Sequence, residues 1–237
     1  ADFANMTKSE DIKITGTGLN MKMGIIYRFN DFVRLGFALH TPTYYTLTDN
    51  SSFDMAVTRD TNGYHTEYST NKTTYNIISP WRMSGGLVVT YPNIGFISAD
   101  VEVVDHSSST ISYTSNDAAS NSNAHDINRI ISKSYTSANN IRLGAEAKWD
   151  IFAFRAGYAM YGSPYKTALV DGFDMSTKIM SAGLGMREKD YFFDLTFSHV
   201  SSTAVDLPYV MSNGTASPAA TLTNTRNILS ASVGFKF

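Results

Sequence analysis

Apolar and polar residues alternate one for one along much of this chain. In "NILSASVGFKF", Asn227 to Phe237, the residues Leu229, Ala231, Val233, Phe235 and Phe237 stand against Ser230, Ser232, Gly234 and Lys236. A period of two places one set on each face of a β-strand. The same period runs through "LNMKMGIIYRF", "FVRLGFALH", "IRLGAEAKW", "IFAFRAGYAMY", "IMSAGLGMR" and "YFFDLTFSH", and less cleanly through "RMSGGLVVTY" and "IGFISADVEVV". It predicts nine long strands, over 18–29, 31–45, 78–91, 94–110, 136–149, 151–162, 176–188, 190–201 and 222–237. The connections alternate in length. "FND", "YPN", "WDI" and "REKD" are short, while 42–78, 111–135, 163–175 and 202–221 are long and rich in Ser, Thr, Asn and Asp. No helix stands out, and the whole chain, 1–237, reads as a single β-barrel domain.

Short turns on one rim and long polar loops on the other are the pattern of a transmembrane antiparallel β-barrel of the outer-membrane kind. Aromatic residues gather beside the short turns, at Tyr27, Phe29, Phe32, Tyr91, Trp149, Phe152 and Tyr191, where an interfacial girdle would lie. The rival is a soluble β-sandwich, which also alternates. Its polar face meets bulk water, whereas here the polar positions mix Gly and Ser with charges of both signs, as a crowded, hydrated lumen requires.

Composition adds to this picture. Charged residues are 17% of the 237, against about 25% in soluble domains. Tyr and Phe number 14 each. No apolar run reaches the roughly 20 residues of a membrane helix, but a barrel strand needs only about 9–11. The net charge of −2 and the lack of a Lys/Arg run give no sign of a nucleic-acid partner. With no cysteine there is no disulfide, thiolate or Cys-zinc chemistry. No secretory signal or initiating Met opens the chain.

The candidate chemistry lies on the polar face. Lys22, Arg28, Arg34, Asp100, Glu102, Arg142, Glu146, Lys148, Arg155, Arg187 and Asp194 read first as paired charge ladders of the wall. If some of them guide a carboxylate ligand, Arg34, Arg142 and Arg155 are the choice, because Arg forks carboxylates. Ile26, Phe96, Ile179 and Phe192 fall on the otherwise polar face and would either line a hydrophobic ligand pocket or mark a bulge. The five histidines show no metal-ligand spacing, so no metal or other cofactor is expected. His40 near Tyr44 and Tyr45 is the only suggestion of a haem ligand. Asp105, His106 and Ser107 are adjacent on a strand and cannot form a hydrolytic triad as they stand, and no nucleophile elbow is present, so no enzyme is expected.

"GTGLNMKMGIIYRFNDFVRLGFALHTPTYY" resembles a mid-barrel hairpin of the FadL-type outer-membrane transporters of long-chain fatty acids and aromatic hydrocarbons, through Gly18, Asn20, Gly24, Tyr27, Arg34, Gly36, Thr41 and Pro42. "GFISADVEVVDHS", "IRLGAEAKWDIFAFRAGYAMYGSPY", "FFDLTFSHV" and the terminal "NILSASVGFKF" are similar to its later hairpins, in the Bacteroidetes branch especially. The resemblance implies a fourteen-stranded barrel in a Gram-negative outer membrane, with an N-terminal hatch. Nine strands here and five more would complete it. The family's Asn-Pro-Ala hatch signature is absent, so this chain is expected to be the C-terminal portion. The resemblance further implies passive uptake of hydrophobic small molecules, and a barrel-assembly signal at Val233, Phe235 and Phe237. The expected partners are outer-membrane lipid and lipopolysaccharide, a hydrophobic ligand, and either the missing N-terminal fragment or a complex partner. The alternative function is a non-transporting structural barrel in a larger envelope or secretion complex.

Overall fold

The computed structural model describes residues 3–59, 64–115, 118–166, 174–206 and 220–235. It is all-β and antiparallel apart from one helix and a single 3₁₀ turn. Its contacts group into two compact units, one of residues 1–21, 42–79 and 109–131, the other of 22–41, 80–108 and 132–237.

The second unit holds a nine-stranded meander. In chain order its strands are β2 (Lys22–Arg28), β3 (Val33–His40), β6 (Arg82–Tyr91), β7 (Gly95–Asp105), β9 (Ser137–Trp149), β10 (Phe152–Tyr161), β11 (Thr177–Arg187), β12 (Tyr191–Asp206) and β13 (Ala220–Phe235). Each pairs with the next in that order, always antiparallel. Among the described residues β2 and β13 are paired on one side only. These nine match the nine expected strands, with ends moved by a few residues. The four short links are the turns after β2, β6, β9 and β11, each closed by local chemistry. Asn30 Oδ1 accepts from the amides of Phe32 and Val33 at 2.9 and 2.8 Å. Ile94 N donates to Tyr91 O at 3.1 Å, with Pro92 and a left-handed Asn93 (φ 64°) between them, the residue choice of a type II turn. Asp150 (φ 53°) turns β9 into β10, and Glu188 N bonds Tyr191 O at 2.9 Å.

No register shift interrupts this sheet, so its two faces are strictly separated. One carries Ile25, Tyr27, Leu35, Phe37, Leu87, Ile97, Leu143, Phe154, Leu184, Phe197 and Leu229, every one exposed. Among the described residues only Val104, Ala124, Ala138 and Ala153 are buried hydrophobics. In a chain that is 43% hydrophobic, four such side chains make no soluble core among the described residues. Water does not tolerate an apolar surface of this extent on a monomer, where patches run to a few hundred Å². The strands β6, β7, β10 and β11, at 10, 11, 10 and 11 residues, have the length that crosses a bilayer.

The first unit departs from expectation. β4 (Tyr44–Arg59), β5 (Tyr64–Ile78) and β8 (Thr110–Tyr113), over residues expected for the most part as loop, join β1 (Phe3–Leu19) in a four-stranded sheet in the order β1-β4-β5-β8. It is stitched at one end by side chains. Asn20 Nδ2 donates to Thr43 Oγ1 at 2.8 Å, and Thr43 N donates to Ser79 Oγ at 2.8 Å. A helix, α1 (Ala118–Ser134), also stands where none was expected. Ala124, Ile127, Asn128 and Ile131 share one face at helical spacing. From that face Asn128 clamps β8, accepting from Ile111 N at 2.7 Å and donating to Ile111 O at 2.9 Å.

Candidate functional site: the polar wall

The register of the nine-stranded sheet fixes which polar-face side chains are neighbours. The two-residue turn at Asp150 and Ile151 pairs Trp149 with Phe152, and counting back pairs Glu146 with Arg155. Arg155 Nε donates to Glu146 Oε2 at 2.7 Å, and Nη1 donates to Asp194 Oδ1 at 2.5 Å. One guanidinium thus ties β9, β10 and β12 together. Lys148 Nζ approaches the other Glu146 oxygen at 3.7 Å. The bridge to Asp194 crosses β11 over Gly185, where a Cβ would come within 2.5 Å of Asp194 Oδ1 and 3.1 Å of Arg155 Nη1. Gly185 is the opening through which the pair forms.

A second cluster lies two rows away. Arg142 grips Asp100 Oδ1 with Nε at 2.7 Å and a terminal nitrogen at 2.6 Å. Asn140 Nδ2 donates to Glu102 Oε1 at 2.8 Å, and Asn140 Oδ1 accepts from Gly162 N at 3.2 Å. Asn140 and Glu102 are both buried, and each satisfies the other.

Of the three candidate arginines, then, Arg142 and Arg155 are engaged with wall carboxylates. Arg34 is different. It faces Arg28 across β2 and β3, and among the described residues no hydrogen bond or ion pair reaches it. Ile26, Phe96, Ile179 and Phe192 all lie on the polar face, opposite Gly36, Glu146, Ala159 and Gly234 respectively. They do not come together as one pocket. Ile26 and Ile179 share a register row but stand six strands apart, about 29 Å along the sheet. Phe192 lies flat over Gly234, whose absent Cβ makes room for the ring. Val233 and Phe235 are on the apolar face and exposed, while Phe237 lies outside the described residues.

The remaining candidates dissolve. His40 sits in a row with Lys22 and Arg82, cationic surroundings that disfavour an iron ion. Ser107 Oγ donates straight to Asp105 Oδ1 at 2.6 Å with no imidazole between them, in a 3₁₀ turn after β7. Burial, reinforced by the positive charge of Arg82, holds His106 below the usual imidazole range. At the start of β11, hydrogen bonds from the Ser176 hydroxyl and amide and from Lys178 hold the Asp174 carboxyl below its ordinary value. On the apolar face a groove of about 610 Å³ runs between Val89, Ile97, Ala145, Ala147 and Phe154.

Gly185 and Asn140 were not singled out in the sequence, nor was the pairing of Arg142 with Asp100. The turn register would have yielded Glu146–Arg155. Asp100–Arg142 sits across the long link from β7 to β9, whose length sets no register.

No family profile matches the chain, and no curated protein sequence matches it either. Among solved structures it is similar to the CymD monoaromatic hydrocarbon channel, with a TM-score of 0.54 at 12% identity. The match covers 91% of this chain and 50% of that one, so the chain spans about half the length of the channel it resembles. At this identity the likeness speaks for the fold. The chain has an all-β, antiparallel fold of the outer-membrane β-barrel class.

Proposed function

We propose that the protein is an outer-membrane channel of the FadL type, admitting hydrophobic small molecules passively, of the long-chain fatty acid or aromatic kind. The observation that carries this reading is the sorting of the nine-stranded sheet. Its large apolar residues face outward, and most of its charges face the other way in a wall held by Arg155 and Arg142. That is the arrangement of a barrel wall with lipid on one side and a polar lumen on the other. The fold likeness to a hydrocarbon channel supports the choice of cargo. Passage needs no covalent chemistry. Lipid and lipopolysaccharide are the surroundings of the apolar face, and Val233 and Phe235 belong to the assembly signal at the end of β13.

An antiparallel sheet of nine strands has its first and last strands running the same way. Antiparallel closure between β13 and β2 therefore takes an odd number of further strands. A fourteen-stranded barrel meets that condition with five. The testing experiment is uptake of a radiolabelled monoaromatic hydrocarbon, and separately of a long-chain fatty acid, into proteoliposomes carrying the full outer-membrane protein. Entry faster than into protein-free vesicles, for either compound, supports the reading. Equal rates for both overturn it.

A further inference from the structure

The polar face is far from neutral. By register it carries nine Lys and Arg side chains against five carboxylates among the described residues. Four of those carboxylates, Asp100, Glu102, Glu146 and Asp194, are already engaged by Arg142, Asn140 and Arg155. The fifth, Asp206, ends β12. The strands β2, β3 and β6 hold no acidic residue at all, yet carry Lys22, Arg28, Arg34 and Arg82 on this face. No ion pair or hydrogen bond among the described residues reaches any of the four.

Their placement deepens the imbalance. Arg28 and Arg34 are directly opposite, and Lys22, His40 and Arg82 form one row. Like charges in register repel, so this arrangement favours a mobile counter-charge. The two rows lie six residues apart, about 20 Å. Between them is a concavity of about 410 Å³ floored by Gly24, Gly36 and Gly86. A Cβ at Gly36 would meet nothing within 4 Å, so the trough is open to solute. Asp100, at its edge, is neutralised by Arg142.

We propose that the β2–β3–β6 wall is a binding surface for small hydrophilic anions, chloride and inorganic phosphate in type, and that it makes the lumen anion-selective. Uncompensated cations along a low-dielectric wall raise the local anion concentration and exclude cations. The proposal rests on the pore reading above but not on its hydrophobic cargo.

The test is the reversal potential of the purified full protein in planar lipid bilayers under a KCl gradient. The expected sign is that of chloride over potassium. Arg34→Gln with Arg82→Gln removes two of the four cations, so the potential should fall by roughly half. Lys22→Gln with Arg28→Gln gives a second, independent pair should the first fail to fold. Lys178→Gln, on the opposite face of β11, leaves the potential unchanged. A zero or potassium-favouring potential in the unmodified protein, an unaltered potential in either folded pair, or the absence of any ion conductance overturns the proposal. Hydrocarbon uptake by the same preparation separates the two claims. Uptake without anion preference discards this inference and keeps the channel, and anion preference without uptake does the reverse.

Discussion

Replacing Arg155 with Gln should unfasten the wall more than any other single charge change. The Glu146 side chain is 8% exposed and that of Asp194 20%. Without the guanidinium, two carboxylates held away from water lose their strongest donor. Breaking a buried pair on one side costs about 3–5 kcal/mol. Arg155 is itself 26% exposed and Lys148 stays near Glu146, so the lower end applies, about 3 kcal/mol. Arg34→Gln, which removes no partner, should cost within about 0.5 kcal/mol. Urea unfolding from lipid vesicles, followed by tryptophan fluorescence and by heat-dependent gel migration, reads both. The triple variant Glu146→Gln, Arg155→Gln, Asp194→Asn should recover much of the loss, because no charge is then left stranded. Equal midpoints for Arg155→Gln and Arg34→Gln would refute the reasoning. A triple variant less stable than Arg155→Gln would do so as well.

Other changes probe other links. Gly185→Val should push Asp194 off Arg155 and lower stability in the same assay, whereas Gly36→Val, in open space, should leave it nearly unchanged. Gly95→Ala should destabilise strongly, since its φ of 148° suits glycine alone and the added carbon would run into the Glu146 carbonyl. Leu143→Arg, on the apolar face, should cost about 2–4 kcal/mol in a bilayer and little in an unfolded reference. Because the folded Asp174 carboxyl titrates below its ordinary value, its contribution is complete above that value and is lost as pH falls through the folded one. Asp174→Asn should therefore lower stability slightly at neutral pH and flatten the acid limb of the stability profile, so that the two proteins converge at acid pH.

The nine-stranded sheet was legible because lipid on one face imposes alternation along the strands, with no bulge to interrupt it, and polar residues such as Lys178, His199 and Asn227 enter the apolar face only toward the long-loop ends. Even the four apolar residues on the polar face could be placed by counting. The first unit was illegible for the complementary reason. Over 44–57 of β4 and 66–78 of β5 both faces are exposed or half-exposed, so "TLTDNSS" and "EYSTNKTT" carry no apolar stripe and read as loop. The helix α1 was hidden by its Ser and Asn content, although Ala124, Ile127 and Ile131 keep helical spacing. In the candidate site, Arg155–Glu146 follows from a two-residue turn. The Arg142–Asp100 pair depends on the register across the 31 residues 106–136, which no local signal sets. The mixing of charge signs in sequence also concealed how unevenly they fall. The carboxylates cluster on β7, β9 and β12, while β2, β3 and β6 carry four cations and no carboxylate.

The central claim is that one face of the sheet meets lipid and the other water. The chain has no cysteine, so single-cysteine variants along β10 report one site each. With a bimane label on each variant in vesicles, brominated lipid should quench positions 156, 158 and 160, and a water-soluble quencher should reach 157, 159 and 161. A strict alternation of the two quenchers from one residue to the next is the predicted result. Water-soluble quenching at all six positions, or no alternation, would contradict it.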